Sequence, residues 1–488
     1  MIKSYQVFIS VLLFLVVVKV CIGQDKDYNE WLKKEQQQLN HFKEERDKEF
    51  AEFLKREWKT VDGTAGETFI EGPLPGPLPV YEGKIVQLPQ SDVNPEVKVE
   101  IIKPVTLPHE EIKVPSSAVF SRYATINYYE VPVKIGYNDV PALEMQGTVT
   151  KEQISKAWDI LSGWNYNNLL EQLVQKRLYH KVNDWGFVKL VYESAKSLTK
   201  DSENDAIAVS WFLLTKAGYE VKIAFSEMSV HLLFPSVNKL YSVPYFTMKD
   251  DERRFYEPPM DRTVVSGSKI CTYEGKYPGA DKQIQFTVPA IPVLTGEKMS
   301  KDLSFSYGDS TYSLHTQYSK DVVRYFEYYP QTEYEVYFAA PLSQEAKNSL
   351  LPQLAAIVKG KSEVEVVNIL LRFVQTAFKY KVDAEQFGRE KPFFPDEILY
   401  YPYSNCKDRA IFFAYLIRSL LHYQVVGLYY PDHVAAAVNF QGAVGGDAVV
   451  VQGKKFIICD PTYVNANIGM CMPQFKNVAP SIIAIHAN

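Results

Sequence analysis

The sequence is poor in cysteine. Five cysteines stand among 488 residues, and no two are spaced as CxxC, which excludes a zinc ribbon or finger and a thioredoxin-type redox motif. Excess positive charge is missing too. The 53 Lys and Arg face 58 Asp and Glu for a net charge of −5, so nucleic-acid binding through phosphate neutralisation is disfavoured. No glycine-rich phosphate loop follows a strand pattern. The acidic run Asp250-Asp251-Glu252 lacks the EF-hand spacing and reads as a solvated turn. Past residue 23 no apolar run is long enough to cross a bilayer. The sequence implies neither a cofactor nor a metal.

What is present is a chain able to fold. Hydrophobic residues make up 46% and charged residues 23%, and the length suggests about three domains. Aromatics are abundant, with 33 Tyr, 27 Phe and 6 Trp, which points to extensive β-sheet. At the N-terminus Lys3 precedes an apolar run from Val7 to Val18 broken only by Ser10. That is the length of a signal-peptide core, and Cys21-Ile22-Gly23 sets small residues before Gln24 for cleavage. Residues 1–23 are therefore expected to be a signal peptide of an exported protein, periplasmic or extracellular. The alternative is a membrane anchor.

Further along, residues 24–60 carry no Gly or Pro, and Trp31, Leu32, Leu39, Phe42, Phe50, Phe53, Leu54 and Trp58 recur at helical spacing. This predicts a charged amphipathic helix. Pro73, Pro75, Pro77 and Pro79 then alternate, and Pro89, Pro95, Pro104, Pro108 and Pro115 follow, so residues 61–116 read as an extended linker. Helix and linker together suggest a tether that presents the helix to a protein partner. The competing expectation is that the helix's aromatic stripe completes a core. Over 117–290 helical patterns (Ile154–Leu161, Leu169–Tyr179, Trp185–Leu198, Ala206–Ala217) precede strand patterns. Residues 291–340 alternate as strands do, with Tyr312, Leu314, Thr316 and then Tyr334, Val336, Phe338. Residues 341–488 return to helices, Val364–Phe378 and Asp408–Leu421, and then to strands. Helices followed by antiparallel strands, twice over, is an α+β order.

Chemistry concentrates near the C-terminus. Asn405 is a good N-cap with Asp408 three residues on, so Cys406 falls in a first helical turn. Backbone N–H groups there favour a thiolate and can hold an oxyanion. His433 opens a strand pattern 27 residues later, and Asp460 closes another strand 27 residues after that, before Pro461. Neighbouring antiparallel strands would set His433 beside Asp460, with the helix start facing both. Sulfur as nucleophile, imidazole as base and acid, and carboxylate as orienter make up a cysteine triad. Cys459 points to the opposite strand face and reads as core. Cys271 and Cys471 are candidates for pairing in an oxidising compartment.

The three segments Asn405-Cys406-Lys407-Asp408-Arg409-Ala410, Pro431-Asp432-His433-Val434-Ala435-Ala436-Ala437-Val438 and Cys459-Asp460-Pro461-Thr462-Tyr463 come in an order that resembles the transglutaminase-like (papain-like cysteine) superfamily, in its bacterial exported type. The lead-in with Phe373, Phe378, Tyr380, Arg389 and Phe394-Pro395-Asp396-Glu397 is similar as well, so the resemblance spans about residues 341–475. It implies Cys406 as nucleophile, His433 as base and Asp460 as its partner, on a helix packed against an antiparallel sheet. Two departures bear on the substrate pocket: Ser404-Asn405 replaces the usual glycine, and Val434 stands where an aromatic often does. Gln375 and Gln386 are both candidates for an oxyanion side-chain donor.

An internal echo extends the pattern. Ala206–Leu213 lies on Ala410–Ile417 at an offset of 204, which sets Ser202 at the place of Cys406. With a small gap, His231 parallels His433 and Tyr256-Glu257-Pro258-Pro259 parallels Cys459–Thr462. Residues 117–290 thus resemble a degenerate copy of the domain, inert for want of the thiol, with 291–340 a β-rich connector and 341–488 the catalytic domain. The expected activity is acyl transfer from amide bonds of protein or peptide substrates, to water or to an amine. The alternative is a non-catalytic envelope protein that keeps the fold to bind peptides.

Overall fold

The computed structural model describes residues 26–56, 58–69, 77–83, 120–249, 251–260 and 269–485. The expected signal peptide, most of the proline-rich stretch and Asp250 lie outside these residues. The architecture is mixed, with helices packed on antiparallel sheets.

A helix spans Lys26–Leu54, uninterrupted because nothing in it breaks helical hydrogen bonding. Trp31 and Phe42 in its first part are exposed, whereas Phe50, Ala51 and Leu54 at its end are buried. The Phe50 ring meets Trp158 edge-on at 4.7 Å and Tyr277 at 5.3 Å. Lys216 pairs with Asp47, and the Ser155 hydroxyl donates to the Ala51 carbonyl at 3.0 Å. The tether expectation is therefore corrected: the aromatic stripe closes a core. The linker expectation also needs correction at its start, because β1 (Lys59–Thr64) is a paired strand.

A hairpin of β2 (Arg122–Tyr128) and β3 (Val131–Tyr137) comes next. Four helices follow, Lys151–Ser162, Asn167–Tyr179, Asp184–Leu198 and Glu203–Lys216. Thr150 and Gln153 start the first of them with a reciprocal capping box. Five strands then join β1 in a closed antiparallel barrel: β4 (Lys222–Ser226), β5 (Ser229–Pro235), β7 (Tyr245–Met248), β8 (Asp251–Tyr256) and β9 (Lys269–Thr272). The short β6 (Leu240–Tyr241) stays outside it. Ala224, Leu233, Phe246, Met248, Phe255 and Ile270 form one apolar cluster, while Ile223, Leu232 and Phe234 pack with the helices. That is the period-two alternation of a sheet with two buried faces.

The connector holds a hairpin of two ten-residue strands, β10 (Lys298–Tyr307) and β11 (Ser310–Ser319), then a helix Lys320–Glu327. A two-residue strand, β12 (Gln331–Thr332), pairs with β6 and ties the halves together. Tyr334, Val336 and Phe338, expected on a strand, lie on a helix Tyr334–Ala339. Tyr337 is buried along with them, which strand alternation does not predict, and so short a run does not separate the two periods.

Helices Gln344–Val358 and Glu363–Ala377 lead to a parallel pair, β13 (Lys379–Tyr380) with β14 (Tyr403–Ser404). The Cys406–Leu421 helix begins directly after β14. It packs on a five-stranded sheet ordered β17 (Ala448–Val451), β18 (Lys454–Cys459), β16 (His433–Asn439), β15 (Gln424–Tyr430), β19 (Ser481–Ile483). Gly427 on β15 is required by contact, since a Cβ there would sit 2.8 Å from the Phe338 ring and 2.9 Å from Ile483. One apolar cluster runs from Phe50 through both halves to Ile483. Among the described residues no helix is long and apolar enough to cross a membrane.

Because Phe50 fills an aromatic cage rather than lying on a surface, Phe50→Ala should cost about 3–5 kcal/mol. Urea unfolding of the full chain measures it. A loss below about 0.5 kcal/mol would return the helix to a peripheral role.

Candidate functional site

The start of the Cys406–Leu421 helix is built from buried charge. Asp408 accepts from the Asn405 backbone N–H at 2.9 Å and from the Phe393 N–H at 3.0 Å. Lys407 is fully buried and meets Asp383 and Glu390, each at 2.7 Å. Asp383 also accepts from the Asn405 side chain at 2.8 Å. Arg409 donates to the carbonyls of Phe378 at 2.6 Å and Gln375 at 3.2 Å. These bonds leave the first turn, and Cys406 in it, a single position.

His433 is the first residue of β16, and Asp460 follows the last residue of β18. The register pairs Ala436 with Cys459, which brings the two ends together. His433 Nε2 lies 2.8 Å from Asp460 Oδ2. The other carboxylate oxygen accepts from the backbone N–H groups of Thr462 at 2.9 Å and Tyr463 at 3.2 Å. With Nε2 engaged by Asp460, Nδ1 is the ring nitrogen left to serve the Cys406 thiol, which is near enough to help raise the imidazole. Phe475 stacks on the imidazole, centroids 5.2 Å apart at 6°.

Burial opposes charge on His433, but the Asp460 carboxylate and the thiol outweigh it and push the imidazole up to about 10. Cys406, His433 and Asp460 are respectively 1%, 6% and 3% exposed. The site is closed to solvent, so charges in it interact strongly.

Of the two glutamines considered for an oxyanion, Gln375 is committed elsewhere. Its Nε2 donates to the carbonyls of Asp460, Tyr463 and Ala466 at 3.1, 2.8 and 3.0 Å. It holds the Asp460 turn in place. Gln386 keeps a buried Nε2 without a hydrogen-bond partner. Cys459 is buried core, and burial pushes its thiol up. Cys271 and Cys471 are both free thiols: one lies in barrel strand β9, and the other packs against the second sheet. Asp251 belongs to a salt-bridged pair, with its Oδ1 2.9 Å from Arg253 Nε. Among the described residues no group of His, Cys, Asp and Glu is placed to hold a metal ion.

The roles of Asp383, Lys407 and Gln375 escaped sequence reading. Each is an ordinary polar residue until the fold buries it. Comparisons with protein-family models, curated proteins and solved structures found no match.

The raised imidazole makes a prediction about stability. Its folded value of about 10 exceeds the unfolded 6.5, so this group's stabilisation is complete below about pH 6.5 and is lost as pH rises toward 10. Asp460→Asn removes the main raising influence. Between pH 7 and 9.5 the unsubstituted chain should therefore lose more stability in urea than Asp460→Asn does. Equal losses would show that His433 is not held as an imidazolium.

Proposed function

We propose that the chain is an exported cysteine enzyme that transfers acyl groups from amide bonds of protein or peptide substrates through a thioester on Cys406. One observation carries the reading: His433, held by Asp460 at 2.8 Å, opens the strand that packs against the helix begun by Cys406. A sulfur there attacks the amide carbonyl while the first-turn N–H groups receive the oxyanion. His433 gives its proton to the leaving amine and takes one back from the incoming water or amine. Asp460 keeps the ring in register through both steps. Gln386 is the side chain we assign as the second oxyanion donor, since its buried N–H group has no other partner.

We place the chain in the transglutaminase-like superfamily on its three motifs, with a papain-like core in 341–488. The idea that 117–290 is a second copy is supported by strand order. The barrel runs β9-β4-β5-β8-β7 and the second sheet β19-β15-β16-β18-β17, so strands of like rank occupy like places. The register agrees as well: Phe234, three residues after His231, pairs with Tyr256, which precedes Glu257. Ala436, three after His433, pairs with Cys459, which precedes Asp460. Export to the periplasm or the exterior rests on the apolar run Val7–Val18 and the small residues before Gln24.

The second reading, a non-catalytic peptide-binding scaffold, is favoured by the near-complete burial of Cys406. Alkylation separates the two. Iodoacetamide should modify Cys406 in the folded protein faster than it modifies the same thiol after unfolding. His433→Ala should slow the reaction at least about tenfold. Cys406→Ala should abolish amide turnover and leave Tm within about a few degrees. Modification only after unfolding would sink the enzyme reading and leave the scaffold.

A further inference from the structure

The half without Cys406 carries a complete hydrogen-bonded chain of its own. Ser226 Oγ lies 2.7 Å from His231 Nε2, and His231 Nδ1 lies 2.6 Å from Glu257 Oε1. We propose that Ser226, His231 and Glu257 form a second active site, a serine triad that cleaves carboxylic esters. The inference goes beyond the thiol chemistry proposed above and stands without it.

Strand pairing builds the arrangement. Ser226 ends β4 opposite Ser229, and Ala224 stands opposite His231. Ser226, Ala224, His231 and Leu233 thus share one sheet face, Ser226 diagonal to the imidazole at a distance a short side chain can bridge. Glu257 follows the end of β8, the neighbour of β5. The hydroxyl bonded to His231 is therefore not that of Ser202, which the 204-residue offset selects, but one on the facing strand.

Burial sorts the three groups as a triad needs. His231 and Glu257 are 7% and 3% exposed, which fixes the ring and shields the carboxylate from water. Ser226 is half-buried beside an exposed turn at Glu227 and Met228, so a substrate carbonyl can reach its oxygen. The tip is braced: Asn204 Nδ2 donates to the Met228 carbonyl at 2.8 Å, and Asn204 Oδ1 accepts from the Val230 N–H at 3.0 Å.

The chemistry closes without any further reagent than water. Ser226 Oγ bonds to the acyl carbon, its proton moves to His231 Nε2, and the bond to the alkoxy leaving group breaks as that group takes the proton. Water then attacks the acyl-serine, loses a proton to Nε2, and the serine oxygen recovers it on release of the acid. Esters fit better than amides because an alkoxide leaves with less help from the imidazole.

An alkyl fluorophosphonate tests the site, since Oγ–P formation with loss of fluoride needs the same base. The probe is applied to the full chain and to the full chain carrying Cys406→Ala, and the adduct is located by peptide mass spectrometry. Ser226 should be labelled equally in both, which separates this result from the fate of the thiol reading. Glu257→Gln should slow labelling at least about tenfold and His231→Asn about a hundredfold or more. If His231→Asn does not fold, the ratio of native to urea-unfolded labelling replaces it, with native expected at least about tenfold faster. No adduct on Ser226 in folded protein would overturn the proposal. So would a rate unmoved by Glu257→Gln or by unfolding, because the serine would then be only an exposed hydroxyl.

Discussion

The ammonium of Lys407, buried next to Cys406, is the constraint from which the second half is organised. An isolated charge out of water costs several kcal/mol, and losing one member of a buried pair costs about 3–5 kcal/mol. Asp383 and Glu390 therefore have to come to the helix start. Asp383 also accepts from the Lys391 N–H at 2.7 Å, and Lys391 itself pairs with buried Glu397. The chain from 383 to 397 is folded onto the first turn of the Cys406–Leu421 helix by these bonds. Arg409 carries the constraint onward. It donates to the Gln375 carbonyl, while the Gln375 side chain holds the carbonyls of Asp460, Tyr463 and Ala466. The helix that presents the thiol and the turn that presents the carboxylate are thus tied through one residue.

Local signals made part of this legible in the sequence. Asn405 with Asp408 three residues on marks a helix start, and the helix begins at Cys406. Pro461 marks the end of a strand, and β18 ends at Cys459. From those two boundaries and antiparallel pairing, the adjacency of His433 and Asp460 could be stated without coordinates. Signals that depend on distant partners were silent. Little in Lys59–Thr64 says that it will pair with β7 and β9, because Lys, Asp and Gly, all poor strand formers, interrupt its Thr and Val; its partners, not its propensity, make it a strand. Phe50 reads as one aromatic on a charged helix until Trp158, Trp211 and Tyr277 surround it. Ser226 is one serine among many, and only cross-strand geometry singles it out.

The hairpins that carry His231 and His433 turn at different points. In the second, β15 and β16 meet at Tyr430 and His433, so the histidine opens its strand. In the first, β4 and β5 meet at Ser226 and Ser229, two residues before the histidine. Those two extra positions extend the ladder beyond His231 and bring Ser226 to the imidazole. The carboxylate stays put, at the same register step from the histidine in both halves, yet the ring nitrogens exchange roles: Nε2 meets Asp460 in one and Nδ1 meets Glu257 in the other. An imidazole held by an acid has one nitrogen to offer, and the point where the hairpin turns decides which group receives it.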